Sequence, residues 1–216
     1  CLIFQTPVLF ASEEICSNRQ NICFQWFFIA KLKQDKKLRA INLNENNIFE
    51  SGDQLKASFK LKKKCFLYFI HTGPKNEISL LYPYALPQDL SSNNMPTTYH
   101  IPRNGRWFML DNNTGNETFF LIAASTRLGG LESLLIDYNG ADASKRVLLG
   151  QKIIKKLKGF NQQSKKLAAA AERPIQIGGT VRSGICKDNK ISLQACDSLM
   201  VSAKDFYIKA ITIEHK

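Results

Sequence analysis

Residues 54–61, with the sequence QLKASFKL, alternate between apolar and polar side chains. A period of two is typical of a strand that buries one face and leaves the other in solvent. Because such a pattern specifies the register of the strand, it also predicts which side chains are buried. We expect Leu55, Ala57 and Phe59 to be buried and Lys56 and Lys60 to be exposed.

Further apolar segments follow this strand at the spacing of hairpins. CFLYFIH, residues 65–71, is continuously apolar, which is typical of a central strand. The turn sequence TGPKN then leads into EISLLYPY, so residues 54–83 are predicted to form a three-stranded antiparallel meander. RWFMLD and ETFFLIAAS lie on either side of NNTGN, and they extend the prediction to one antiparallel sheet over residues 54–125.

The remaining segments predict one earlier strand, a long loop, two helices and C-terminal strands. Residues 22–33 are aromatic and β-branched, which favours a buried strand. Residues 84–105 contain three prolines and many short polar residues, and they are predicted to form a loop. A short helix is predicted over residues 131–138, followed after residue 141 by a longer helix that Pro174 ends.

These segments together predict a β-rich α+β protein. Its core is an antiparallel sheet or a sandwich, followed by one or two helices and then by strands that end the chain. A chain of 216 residues is long enough to bury its own core. No apolar run approaches the roughly 20 residues that a membrane-spanning helix needs, so we expect no transmembrane span.

The first eleven residues have three interpretations, which the sequence leaves open. LIFQTPVLFA, residues 2–11, resembles the apolar part of a signal peptide with cleavage after Ala11. Alternatively, Cys1 is the acylated N-terminus of a lipoprotein, or the segment is a strand or packed arm. The first two interpretations place the protein outside the cytosol, where it would be periplasmic, associated with the outer membrane, or secreted.

The six cysteines favour an oxidising compartment. Cys16 and Cys23 are seven residues apart, and Cys186 and Cys196 are ten apart. Neither spacing is that of a zinc or redox motif, and both suit disulfides that close polar loops. We therefore predict these two disulfides, and we expect Cys65, within the apolar run KCFLYFI, to be a buried free thiol.

The formal net charge of +12 is concentrated in one stretch. Residues 142–173 hold nine basic residues and only two acidic ones. The predicted basic face consists of Lys152, Lys155, Lys156 and Lys158. A face of this kind binds an anionic polymer or lipid head groups, or it is simply solvated. Because lysine dominates and no stacking aromatic interleaves, we expect only weak retention on heparin or DNA, which disappears near physiological salt.

Motifs that carry chemistry are absent from the sequence. His71, His100 and His215 are far apart and show no metal-binding spacing, and no phosphate-binding loop or nucleophile elbow is present. Asp53 and Glu117 could be imagined as a carboxylate pair, but both occur in glycine-containing turn sequences, so we interpret them as turn residues. We expect no catalytic residues, no metal and no cofactor.

The order of short motifs between residues 48 and 125 resembles the bacterial domain of unknown function 4384. IFESGDQLKASFK, CFLYFIHTGPKNEISLLYP, YHIPRNGRWFMLD and TGNETFFLIAAS follow one another as they do in that family. The corresponding positions are Ser51, Gly52, Asp53, Tyr68, Leu81, Tyr82, Pro83, Ile101, Pro102, Gly115 and Glu117. The family has no assigned catalytic residues, so the resemblance implies structural roles for these positions.

The resemblance also guides the predicted domain organisation. Residues 12–216 are expected to form a single β-rich domain, with 48–125 as the family-like core and 126–216 as a helical and strand extension. Members of the family are often exported or joined to larger modules, which implies an accessory role. We therefore expect a non-enzymatic, envelope-associated or secreted domain that binds an envelope protein or complex, or a small ligand. An anionic polymer is the alternative partner, and an enzyme with an unrecognised site is the third hypothesis.

Overall fold

The computed structural model describes residues 16, 20–34, 36, 38–41, 47–88, 98–166, 171–175 and 198–216. Within them the chain forms β-strands and two α-helices, which confirms the predicted β-rich α+β class. In chain order the elements are β1 (Ile22–Lys31), β2 (Leu38–Ala40), β3 (Asn47–Phe49), β4 (Gln54–Leu61), β5 (Phe66–Thr72), β6 (Ile78–Tyr82), β7 (Thr98–Ile101), β8 (Phe108–Met109), β9 (Gly115–Ala124), α1 (Gly129–Gly140), α2 (Ala143–Lys166), β10 (Ala171–Ile175), β11 (Ser198–Ala203) and β12 (Phe206–His215).

Two sheets and a helical layer are stacked on one another. The first sheet has the order β10-β11-β1-β4-β7, with β2 also paired to β1 and β8 to β4. The second sheet has the order β3-β12-β9-β5-β6. All pairings are antiparallel except that of β12 with β3. The helices cover the outer face of the second sheet.

Alternation along each strand of the second sheet supplies two cores. On β5, Leu67 and Phe69 face the first sheet, whereas Tyr68 and Ile70 face the helices. β9 repeats this division along its length, with Phe119 and Phe120 on opposite faces. Because both faces are covered, these strands have the continuous apolar sequences that are typical of buried strands.

The predicted meander over residues 54–83 is wrong in its first pairing. β4 pairs with β1 over eight residues from Gln54 to Leu61, and it also pairs with β7 and β8. β5 instead pairs with β6 and β9 in the other sheet. The β5–β6 hairpin is therefore confirmed, but residues 54–125 are divided between two sheets. The turn after β4 crosses from one layer of the sandwich to the other.

Burial along β4 confirms the apolar half of the predicted pattern and corrects the polar half. Leu55, Ala57 and Phe59 are at most 1% exposed. Lys56 is only 4% exposed, because its ammonium lies 4.7 Å from the centre of the Trp107 ring. Lys60 is half-buried. The outer face of the first sheet is thus partly covered by a residue that is distant in sequence.

The helices differ from their predicted bounds mainly at the end of the second one. α1 includes the predicted residues 131–138, and α2 ends at Lys166, before Pro174. Pro174 belongs to β10, at the end of the first sheet, where a proline is tolerated. Ile153 and Leu157 are fully buried against the second sheet.

The cysteines agree with the sequence analysis where the structure describes them. Cys16 and Cys23 form a disulfide with their Cα atoms 5.7 Å apart. Cys65 is a buried free thiol, and burial raises its pKa to about 12. Cys186 and Cys196 lie outside the described residues, so their disulfide remains a prediction. No helix among the described residues is both long and apolar enough to span a membrane.

Candidate functional site

The family-like turn before β4 is held by its own side chains. Asp53 Oδ1 accepts a hydrogen bond of 2.8 Å from the Lys33 backbone N–H, and Oδ2 accepts one of 3.0 Å from that of Glu50. Gly52 has a φ of +96°, and a Cβ there would meet Lys33 Cδ at 2.8 Å. Asp53 is therefore a turn residue, as we interpreted it, and the positive φ of Gly52 favours glycine at this position.

Glu117, by contrast, is not a turn residue. It lies on β9 and is only 5% exposed. His71 on β5 bonds to its Oε2 through Nε2, and His215 on β12 approaches its Oε1 through Nδ1 at 3.4 Å. The turn interpretation fails because the strand begins at Gly115, before the glutamate.

The pattern of β9 contains a signal for this arrangement. Glu117 is two residues before Phe119 on β9 and therefore lies on the same face of the strand, which faces the space between the sheets. His71 is two residues after Phe69 on the neighbouring strand β5, and the Phe69 side chain also faces inward. An inward carboxylate needs a partner because burying an unpaired charge is costly. The histidines that become partners of this carboxylate depend on which strands pair, and the sequence does not show the pairing.

Ser51 extends this cluster into a chain of hydrogen-bonding groups. Its Oγ lies 3.0 Å from His215 Nε2, and Nδ1 of the same ring faces Glu117. Serine, histidine and carboxylate are therefore connected in the order found in serine hydrolases. The His215 side chain has no exposed surface, which places the ring away from solvent.

The backbone around Ser51 does not supply the second requirement of a hydrolase. An oxyanion hole needs free N–H donors close to the nucleophile. The Ser51 N–H donates to the Lys216 carbonyl at 3.2 Å, and the Gly52 N–H donates to that of Leu110 at 2.8 Å. Both donors are therefore occupied by backbone carbonyls. The hydrogen-bonding groups of Ser51, His215 and Glu117 instead join the turn to the end of β12 and stabilise the sandwich at this end.

A cleft opens beside this cluster, between the edge strand β6 and β8. It has a volume of about 240 Å³. Its lining residues come from both sheets and are Leu55, His71, Glu77, Ser79, Leu81, Phe108, Met109, Leu110, Asp111, Asn113, Glu117 and Phe119. Met109 is 66% exposed and lies at the mouth, so part of the apolar lining is in contact with solvent.

Three of the six polar side chains that line the cleft are acidic and none is a lysine or arginine, although the whole chain is basic. Glu77 and Asp111 are exposed, and Glu117 lies deeper. Hydrogen bonds from the Asn113 backbone and side chain lower the pKa of Asp111, which keeps it ionised. Among the described residues no group of three or more histidine, cysteine, aspartate or glutamate side chains is arranged to hold a metal ion.

Tyr68 connects the family-like segment with the helical layer. Its hydroxyl donates to Glu132 Oε1 at 2.7 Å and accepts from the Leu128 N–H at 3.1 Å. Arg127 Nε donates to the other carboxylate oxygen of Glu132 at 3.0 Å. Burial raises the pKa of Tyr68 above its ordinary value, so the hydroxyl remains a donor.

The other motif positions have contacts that fit the structural roles implied by the resemblance. Leu81 lines the cleft and packs on the core together with Tyr82. Ile101 is 1% exposed and pairs with Ala57 of β4. Pro83 is buried and Pro102 is half-buried. A Cβ at Gly115, where φ is +137°, would meet Pro74 Cβ at 2.8 Å.

A second polar cluster lies on the outer face of the first sheet. Ser58 Oγ and His100 Nδ1 are 2.7 Å apart, and the Lys56 ammonium is close enough to act on the ring electrostatically. Burial and this ammonium lower the pKa of His100, and burial lowers the pKa of Lys56. The pair connects β4 with β7 and does not reach the cleft.

The predicted basic residues are all on α2, but they do not all face solvent. Lys152, Lys155 and Lys158 are exposed. Lys156 is half-buried, and its ammonium lies 5.5 Å from the centre of the Phe160 ring. The basic face of α2 is therefore formed by three of the four predicted lysines.

Comparison with known proteins bears on the segment that builds the cleft. Residues 48–127 match the family model described as Domain of unknown function (DUF4384). The resemblance inferred from the sequence is thereby confirmed. Every residue that lines the cleft falls within the DUF4384 segment, whereas His215 and α2 lie outside it. No curated protein and no solved structure gives a significant match to this chain.

Proposed function

We propose that this protein is a non-enzymatic accessory domain of the bacterial envelope or of the secreted fraction, which binds a protein partner or a small ligand through the cleft between β6 and β8. The observation that carries the proposal is that the DUF4384 segment alone lines this cleft, and that it does so with exposed apolar and acidic side chains. Concave, partly apolar surfaces with a few polar groups are typical binding sites.

Two observations support a binding role over a catalytic one. The backbone N–H groups of Ser51 and Gly52 are occupied by carbonyls, so an oxyanion beside the Ser51 hydroxyl would lack donors. Both carboxylate oxygens of Glu117 are engaged by histidines, His71 at Oε2 and His215 at Oε1. Neither group is arranged to attack a substrate in the cleft.

The disulfide between Cys16 and Cys23 supports export. Disulfides persist in the periplasm and outside the cell, and they are rare in the reducing cytosol.

The cleft itself indicates the chemistry of the ligand. Glu77 and Asp111 favour a cationic group, and Leu81, Phe108 and Met109 favour an apolar one. A lysine or arginine side chain of a partner, with its apolar stem, satisfies both.

The experiment is an affinity capture from envelope extract, with wild-type protein and two matched variants. Met109→Lys adds a charge at the mouth of the cleft, and Ile48→Lys adds the same charge at a 47% exposed position on β3 outside it. We expect a partner that the wild type and Ile48→Lys retain and that Met109→Lys loses. Both variants must keep the wild-type melting temperature. Equal capture by all three proteins would contradict the proposal.

A further inference from the structure

The charge on α2 is one-sided for a helix that lies on the protein surface. Its 24 residues include eight basic side chains and no acidic ones. Lysines three or four residues apart are neighbours on a helix and repel one another. Solvated helices commonly reduce this repulsion by interleaving glutamate. Lys145 at the start of α2 pairs with Asp142 at 3.7 Å, whereas Lys152, Lys155 and Lys158 have no acidic neighbour on the helix and therefore suit an external anionic partner.

The exposed face of α2 combines lysines with apolar side chains. Ile153 and Leu157 mark the buried side. At about 100° per residue, the opposite side carries Val147, Leu148, Gln151, Lys152, Lys155, Lys158 and Gln162. Val147 is 61% exposed and Leu148 is 60% exposed. Packing against the sheet explains neither of these two residues.

The α1–α2 hairpin carries a third exposed apolar side chain. Ile136 on α1 is 48% exposed, and it lies as far before the short connection as Val147 lies after it. Large hydrophobic side chains are seldom this exposed in groups unless they contact another surface. Lys145 and Arg146, beside Val147, are also exposed.

A shallow groove along α2 offers a place for a phosphate group. It has a volume of about 510 Å³ and is lined by Asn76, Gln151, Ile154, Lys155, Lys158, Gly159 and Gln162. Two ammonium groups and three amides can donate hydrogen bonds there. None of the ion pairs within the described residues involves Lys152, Lys155 or Lys158.

We infer that α2 docks this protein on the surface of an anionic lipid bilayer. The lysines contact lipid phosphates, while Val147 and Leu148 enter the boundary between head groups and acyl chains. Amphipathic surfaces that join lysine to aliphatic residues bind membranes in this way. The surface is separate from the cleft, so this inference does not depend on the proposed function.

A bilayer fits these residues better than an anionic polymer does. Heparin and DNA offer charge but no medium into which exposed valine and leucine side chains can be transferred. DNA and RNA readers also use aromatic side chains for stacking, and Phe160 of α2 instead packs on Phe206, with their ring centres 5.3 Å apart. The weak, salt-sensitive retention on polymers expected from the sequence is consistent with this difference.

The test is co-sedimentation with vesicles of phosphatidylcholine, with and without one third phosphatidylglycerol. We expect wild-type protein to co-sediment with the anionic vesicles at physiological salt and not with the neutral ones. Each lysine near an anionic surface strengthens binding roughly fivefold. Replacing Lys152, Lys155 and Lys158 together by glutamine should therefore weaken binding on the order of a hundredfold.

Two further variants separate the apolar contribution from net charge. Val147→Ser with Leu148→Ser should weaken vesicle binding by about tenfold or more and leave weak heparin retention unchanged. Lys36→Gln, Lys62→Gln and Lys64→Gln remove the same charge from exposed positions outside α2 and should bind vesicles nearly as the wild type does.

Three results would overturn the inference. The first is no binding of the wild type to anionic vesicles at physiological salt. The second is an equal loss in the two lysine triples, which would indicate net charge alone. The third is salt-resistant binding to heparin or DNA that depends on Lys152, Lys155 and Lys158, without vesicle binding, which would assign the face to an anionic polymer. Circular dichroism must show native folding for every variant.

Discussion

The Tyr68 hydroxyl donates a hydrogen bond of 2.7 Å to Glu132 Oε1. This bond joins β5 of the DUF4384 segment to α1 of the extension that follows it. The same hydroxyl accepts the Leu128 N–H at the start of α1. One phenol oxygen thus satisfies a buried carboxylate and a helix N-terminus together.

Tyr68→Phe should lower the free energy of unfolding by about 1–3 kcal/mol, because it leaves the buried Glu132 carboxylate and the Leu128 N–H without this partner. Urea denaturation measures the change. Tyr84→Phe is the matched control, since Tyr84 is 46% exposed and its hydroxyl accepts the Arg103 N–H near solvent. Equal free energies of unfolding for the two variants would show that the buried Tyr68 hydroxyl stabilises the protein no more than the exposed Tyr84 hydroxyl does.

Phe59→Asp should prevent cooperative folding. Phe59 is 1% exposed and stacks on Trp26 with their ring centres 5.9 Å apart, so aspartate would place an unpaired charge between the sheets. Lys62→Asp changes an exposed residue in the turn that follows β4 and should fold normally. A soluble Phe59→Asp protein with a cooperative unfolding transition would show that the core assignment of β4 is wrong.

His100 should make the protein less stable in mild acid. Burial, reinforced by the Lys56 ammonium, lowers its pKa from the ordinary 6.5. A histidine of this kind binds a proton more readily when the protein is unfolded. Its contribution to the free energy of unfolding is therefore fully present above pH 6.5 and is lost as the pH falls through the lowered pKa of the folded state. His100→Asn should reduce the loss of stability between pH 7 and pH 5. Denaturation curves of both proteins across that range measure the difference, and parallel pH profiles would contradict the prediction.

The cysteines should divide into bridged and protected groups. Cys65 should resist alkylation in the native protein and react once it is unfolded, because it is buried and its pKa is raised to about 12. Peptide mapping without reductant should recover Cys16 joined to Cys23, and Cys186 joined to Cys196. Each bridge should stabilise the protein by roughly 2–3 kcal/mol. A bridge that contains Cys65, or free alkylation of the four paired cysteines, would refute this prediction.

The predicted apolar face of β4 was right because it depends on local alternation. Leu55 and Phe59 face the same side for the geometric reason that strands have a period of two. The apolar strand around Tyr68 and the helix around Leu157 were also predictable, since each element is continuous in sequence. The order of short motifs was sufficient to recognise the DUF4384 segment.

The sequence by itself determined the long strands, both helices, the apolar faces and the Cys16–Cys23 bridge, because each depends on residues close together in the chain. It did not predict β7 (Thr98–Ile101), which forms within the predicted loop and pairs with β4. Tertiary structure decided which strands pair, and therefore which distant side chains meet. β4 pairs with β1 and not with β5, its neighbour in sequence. Trp107 covers Lys56, and His71 and His215 both contact Glu117. These contacts depend on how two sheets exclude water from the space between them, which no single segment specifies.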